Sequence, residues 1–131
     1  MIRRLFLPAL LALLLASPFA ARAQQNGIYN VTGTNPDGST YEGTLLMQQA
    51  GIVSWRVTWS VQGERIEGIG MSSGNIFSVT YQLGDRTGMG IFNVNADGSM
   101  FGQWTAMGST GIGTETLTPQ PAQPLQPPPL R

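Results

Sequence analysis

The chain has no cysteine, no histidine and no lysine, and its charged residues make up only 11% of 131 positions. Without cysteine there is no disulfide framework, no thiol nucleophile and no attachment site for a lipid anchor, so stability has to come from packing. Without histidine the commonest general base, metal ligand and pH switch is missing. Without lysine or histidine, Ser54, Ser60, Ser72, Ser78 and Ser109 have no familiar base to activate them. These absences predict a protein that is not an enzyme and carries no metal or cofactor. The seven basic residues are all arginines, and the three at positions 3, 4 and 22 fall in the leader described next. The remainder holds four arginines against seven acids, a net of −3. Four scattered arginines cannot form the basic stripe that neutralises phosphates, so no nucleic-acid partner is expected.

Residues 1–23 read as a cleavable export signal: Arg3 and Arg4, an apolar run from Leu5 to Ala16, then Ala21-Arg22-Ala23 before Gln24. Pro8 and Pro18 interrupt that run, which is too short to span a bilayer. The expected location is periplasmic or secreted, with no membrane span in the mature chain. Arg3 and Arg4 also match the core of a twin-arginine signal, and the leucine-rich stretch fits the general secretory route. From position 120 the chain turns to Gln-Pro-Ala-Gln-Pro-Leu-Gln-Pro-Pro-Pro-Leu-Arg. This composition predicts a disordered tail over 120–131, leaving one domain at 24–119.

Within that domain, Trp55 to Val61 alternates strictly between large apolar and polar residues. Trp55, Val57, Trp59 and Val61 therefore share one face of a strand, and Arg56, Thr58 and Ser60 share the other. Turn pairs recur about every dozen residues, at Asp37-Gly38, Ala50-Gly51, Gln62-Gly63, Gly74-Asn75, Gly84-Asp85, Asp97-Gly98 and Gly108-Ser109. They delimit eight strands, near 28–34, 40–48, 53–61, 66–72, 76–83, 87–95, 99–107 and 111–118. Links this short force antiparallel pairing between neighbours, and eight strands suffice to close a small barrel. The fold class is all-β, an eight-stranded antiparallel up-and-down meander barrel.

The pairs Gly68-x-Gly70, Gly88-x-Gly90 and Gly111-x-Gly113 put small residues on the fourth, sixth and eighth strands. They are expected to sit beside bulky strands carrying Trp55 and Trp59, Phe77 and Tyr81, and Phe101 or Trp104. Asn35 to Ser39 echoes Asn95 to Ser99, as convergent hairpin chemistry would.

Three stretches resemble a group of small exported bacterial proteins commonly labelled fibronectin-binding: Asn-Pro-Asp-Gly-Ser-x-Tyr-x-Gly at 35–43, Trp-x-Val-x-Trp at 55–59, and Asp-Gly-Ser-x-x-Gly-x-Trp-Thr at 97–105. The closing Gly-x-Gly-Thr-Glu-x-Leu-x-Pro at 111–119 resembles it too. The resemblance implies a binding or adhesion module that engages an extracellular host or matrix protein through its barrel surface. The architecture is also similar to that of avidins and other calycin-like barrels, without a residue-by-residue match to their ligand motifs.

Two alternatives stand beside adhesion. A small apolar ligand could occupy a tryptophan-lined pocket, with Trp55, Trp59, Tyr81 and Trp104 as anchors and Arg56 and Glu115 as polar fixtures. Or the barrel could be solid and structural. Glu42 and Glu115, on the two strands flanking the first, are the one pair placed to act together as carboxylates. Met89 and Ile91 alternate with Gly88, Gly90 and Phe92, so the sixth strand is apolar on both faces, which suggests a homo-oligomer.

Overall fold

The computed structural model describes residues 26–121, so the expected export signal and nearly all of the proline-rich tail lie outside the described residues. Eight strands follow in order: β1 (Gly27–Thr34), β2 (Thr40–Gln49), β3 (Ser54–Val61), β4 (Glu64–Ser73), β5 (Ile76–Leu83), β6 (Arg86–Val94), β7 (Met100–Ala106) and β8 (Gly113–Pro119). Each pairs antiparallel with the next, and β8 returns to β1, closing the barrel. Gln120, first residue of the expected tail, still donates its backbone N–H to the Ile28 carbonyl and its side-chain amide to Asn30. Gly111 lies before β8, in the turn beside Pro36, rather than inside the last strand as its spacing suggests.

Alternation fixes the inside. Odd positions face inward on β1, β2, β3, β5 and β8, and even positions on β4, β6 and β7. Tyr29, Val31, Leu45, Met47, Val57, Phe77, Phe92, Met100 and Leu117 are almost fully buried. They fill the half of the barrel nearer the chain ends and the β2–β3, β4–β5 and β6–β7 turns. Each such side chain contributes about 1.5–3 kcal/mol by leaving water. Met89 and Ile91 are on the outer face of β6, half exposed, while Phe92 points in. Phe101 is outside as well, so the inner aromatic of β7 is Trp104.

The two echoing turns have the same internal bonding. In each, Asn35 or Asn95 takes the backbone N–H of Gly38 or Gly98, and Asp37 or Asp97 accepts the N–H of Ser39 or Ser99 at 2.9 Å. They sit at opposite ends of the barrel, since one joins β1 to β2 and the other β6 to β7.

The β3–β4 turn uses Gln62 (φ 51) and Gly63 (φ 77), a two-residue loop left-handed at both positions. A glutamine there is strained where asparagine is tolerated. Gln62→Asn is expected to stabilise the barrel by about 0.5 kcal/mol and raise Tm by about 2–4 °C. A thermal melt at or below the wild-type Tm would refute the assignment of strain to this residue.

Candidate functional site

The other half of the barrel, under the β1–β2, β3–β4, β5–β6 and β7–β8 turns, is not filled. A cavity of about 470 Å³ opens there, lined by Tyr41, Trp59, Val61, Ile66, Tyr81, Leu83, Phe92, Trp104, Ala106 and Glu115, with Asp37, Glu64 and Arg86 around its mouth. The opening follows from where the glycines fall. A Cβ at Gly33 would collide with the ring of Tyr41, one at Gly88 with Tyr81, and one at Gly113 with Trp104. Those three pairs are direct cross-strand partners. Each ring therefore lies flat into the recess of a glycine on the neighbouring strand instead of projecting across the lumen. Three large aromatics line the wall, and the centre stays open.

The floor carries one ionisable group. Glu115 is only 5% exposed. Its Oε1 accepts the Tyr41 hydroxyl at 2.9 Å and its Oε2 accepts the Trp59 indole N–H at 3.3 Å. Burial raises its pKa to about 7, against the lowering effect of those two donors. Among the described residues the one ion pair joins Arg65 to Glu67 on the exposed surface, so no cation is paired with Glu115. Burial, and then the nearby charge of Glu115, raises the Tyr41 and Tyr81 hydroxyls well above the usual phenol range. The Tyr81 hydroxyl is held by the wall, donating to the Thr105 carbonyl at 3.3 Å with that of Met89 at 3.4 Å.

Two ring contacts fix the walls: Trp59 meets Tyr81 edge to face at 5.3 Å, and Tyr41 meets Trp104 at 6.3 Å and 70°. The Trp104 indole N–H is buried with no hydrogen-bond acceptor. It lies near enough to the Tyr41 hydroxyl to hold that pKa down slightly, yet the two do not meet hydrogen-bond geometry.

Of the six residues singled out in the sequence, Trp59, Tyr81, Trp104 and Glu115 come together here. Trp55 does not. It shares the inner face of β3 with Trp59 but lies four residues along the strand, roughly 13 Å away, in the filled half. Its indole N–H donates to Ser72 at 3.3 Å. Arg56 is exposed on the outer face, opposite Gln48 and Ile69, and cannot reach the interior. Glu42 and Glu115 do not form a pair either. Thr32 is aligned with both Glu42 and Thr116, which puts Glu115 one residue out of step and on the opposite side of the wall.

Tyr41 is the residue that sequence reading missed. Its parity with Leu45 and Met47 on one strand was the available signal. Arg86, the one cation of the lining, shares inward parity with Gly88 and Gly90. Among the described residues no group of three or more acidic, histidine or cysteine side chains could hold a metal ion.

No protein-family model matches the chain, and no curated protein does. Solved structures do. The chain is similar to a fluorescence-activating β-barrel made by de novo design (20% identity, TM-score 0.58, covering 73% of this chain and 94% of that one). A redesigned barrel, b11L5F_LGL, matches at 24% identity and TM-score 0.59 over 73% of this chain and 91% of its own. Another, mFAP1 bound to DFHBI, matches at 21% identity and TM-score 0.56 over 71% of this chain and 93% of its own. At these identities the likeness is one of fold, and it agrees with the strand order and closure described above: this chain is an eight-stranded antiparallel β-barrel.

Proposed function

We propose that the protein is a non-catalytic carrier or receptor for a small, flat ligand held in the open half of the barrel. The observation that supports this most is the cavity itself: an opening of about 470 Å³ whose three wall aromatics are recessed on glycines, over a buried carboxyl group. Ligand sites are typically apolar concavities of about 300–1,000 Å³ with a few convergent polar groups. A barrel that needed only stability would fill this volume with side chains. That three of the structures similar to this chain, two of them redesigned barrels, are bound to DFHBI supports the same reading by analogy of shape.

The test is tryptophan fluorescence with acrylamide as quencher. Trp104 is half-buried in the mouth, whereas Trp55 and Trp59 are each 5% exposed, so quenching reports mainly on Trp104. An occupant drawn from a panel of flat one- and two-ring compounds, DFHBI among them, is expected to protect it. Gly113→Ala removes the recess behind the Trp104 ring and should push the indole into the cavity, weakening that occupant at least about 10-fold while the far-UV spectrum stays that of a barrel. Failure of every compound to protect Trp104, or wild-type affinity in Gly113→Ala, would overturn the proposal.

A further inference from the structure

We infer that the ligand is a small organic cation with a flat apolar body, its N–H donors bonded to the carboxylate of Glu115 on the cavity floor. This rests on the cavity being a ligand site, and it specifies the chemistry of that site.

Three observations carry it. The first is unused bonding capacity. A carboxylate offers about four lone-pair positions, and Glu115 uses one on each oxygen, for Tyr41 and for Trp59. Both oxygens keep an acceptor position, and the residue itself lines the cavity. A planar, doubly donating group such as an amidinium matches such a pair in a way that a neutral amide does not.

The second is the balance of charge. The lining carries Glu115 on the floor with Asp37 and Glu64 at the mouth, against Arg86 alone. One acid inside a low-dielectric recess, with two more at its solvent-exposed mouth, favours a cation and disfavours an anion. The third is the aromatic wall. Tyr41, Trp59, Tyr81 and Trp104 surround the space above Glu115, and electron-rich rings attract a cation brought within reach of their faces.

The titratable and charged groups lining the cavity with Glu115 are Tyr41 on β2, Glu64 on β4, Tyr81 on β5, Arg86 on β6 and Asp37 in the first turn. Both phenols stay protonated throughout the neutral range, since their pKa values are raised. Glu115, at about 7, is the one group with a resolved shift into that range. The cation is therefore expected to bind with release of a proton below that pH and to lose affinity as the solution is made acid.

Three compounds sharing one ring system separate the outcomes: 2-naphthamidine (cation), 2-naphthamide (neutral) and 2-naphthoate (anion), titrated by calorimetry against the purified protein and Glu115→Gln. At pH 8 the amidine is expected to bind at least about 30-fold more tightly than the amide, and the naphthoate most weakly. The amidine should weaken about 10-fold or more between pH 8 and pH 5 while the amide does not change. In Glu115→Gln the amidine should fall to the level of the amide. Equal affinity of amide and amidine, tightest binding by naphthoate, or a cation preference that survives in Glu115→Gln would overturn the inference while leaving a small-ligand site in place. If none of the three binds and no other flat compound protects Trp104, the site itself is refuted along with its chemistry. Should Glu115→Gln fail to fold, the pH dependence of the wild-type amidine affinity decides alone.

Discussion

Glu115→Gln is expected to be more stable than the wild type at pH 8, by about 3 kcal/mol, and indistinguishable from it to within about 1 kcal/mol at pH 5. The sign follows from the direction of the shift. Folding raises the Glu115 pKa from 4.5 to about 7 because the carboxyl is buried, so the folded chain holds this proton more tightly than the unfolded one. The stabilisation linked to that proton is complete below pH 4.5 and is lost as the pH rises through 7. Across that window the wild type should lose stability, and the variant, which cannot ionise, should stay level. Glutamine can keep both contacts: its carbonyl accepts from Trp59, and its amide donates to the Tyr41 hydroxyl oxygen, which reverses that bond and turns the Tyr41 O–H toward the open cavity.

Asp37 and Asp97 act in the opposite direction. Hydrogen bonds from Ser39 and Ser99 lower their pKa values, so their contribution is present above the unfolded value and is lost as the pH falls through the carboxylate range. That loss lies below the window in which Glu115 titrates, and the two effects together place the stability maximum at roughly pH 4, between the two windows. Urea unfolding at pH 5, 6, 7 and 8 measures both chains. Equal slopes in wild type and variant would show that the pH dependence does not arise at Glu115. A neutral residue would serve the fold better at pH 8, so keeping an acid here costs stability, which is the pattern expected of a group retained for binding.

The strand order was legible because the turns announce themselves. Asp37-Gly38, Gln62-Gly63, Gly74-Asn75, Gly84-Asp85 and Asp97-Gly98 each fall at a break between strands. Alternation then placed Trp55, Val57 and Trp59 on one buried face. Periodicity gives the face but not the height along the barrel axis, so it could not tell that Trp59 borders the cavity while Trp55 is locked in the filled half. Height depends on register, which is a relation between strands. The same limit explains Glu42 and Glu115, whose strands were correctly placed either side of β1 but whose one-residue offset puts them on opposite sides of the wall. Phe101 and Trp104 have opposite parity, and only the pairing of Gly102 with Phe92 and Glu115 settles that Trp104 is the inner one. The glycine pattern suggested small strands beside bulky ones. What it did not reveal is that single rings settle on single glycines and so leave the space that makes a site.

That last relation sets the second large effect. Gly102→Ala is expected to destabilise the barrel by about 3 kcal/mol and lower Tm by about 15 °C, whereas Gly90→Ala should change stability by less than about 1 kcal/mol. Both glycines face inward on neighbouring strands, and they differ in what a new methyl group would meet. At Gly102 it would strike the Ile91 carbonyl oxygen and the ring of Phe92, overlapping both too deeply for a shift of a few tenths of an ångström to relieve. A backbone oxygen bonded into the ladder yields only if β6 and β7 separate, at the cost of hydrogen bonds in the wall. At Gly90 the nearest atoms are the ends of Phe92 and Val79, each at 3.1 Å, and the Gln103 carbonyl at 3.4 Å. Small side-chain shifts relieve that contact, and alanine recovers about 0.5–1 kcal/mol of the conformational entropy that glycine loses on folding. Near-ultraviolet thermal melts of the two variants measure the difference directly. Similar losses in both would mean that glycine is required on these strands for flexibility at large. A loss confined to Gly102→Ala would mean that the barrel closes because backbone at that point has to approach backbone more closely than any side chain allows.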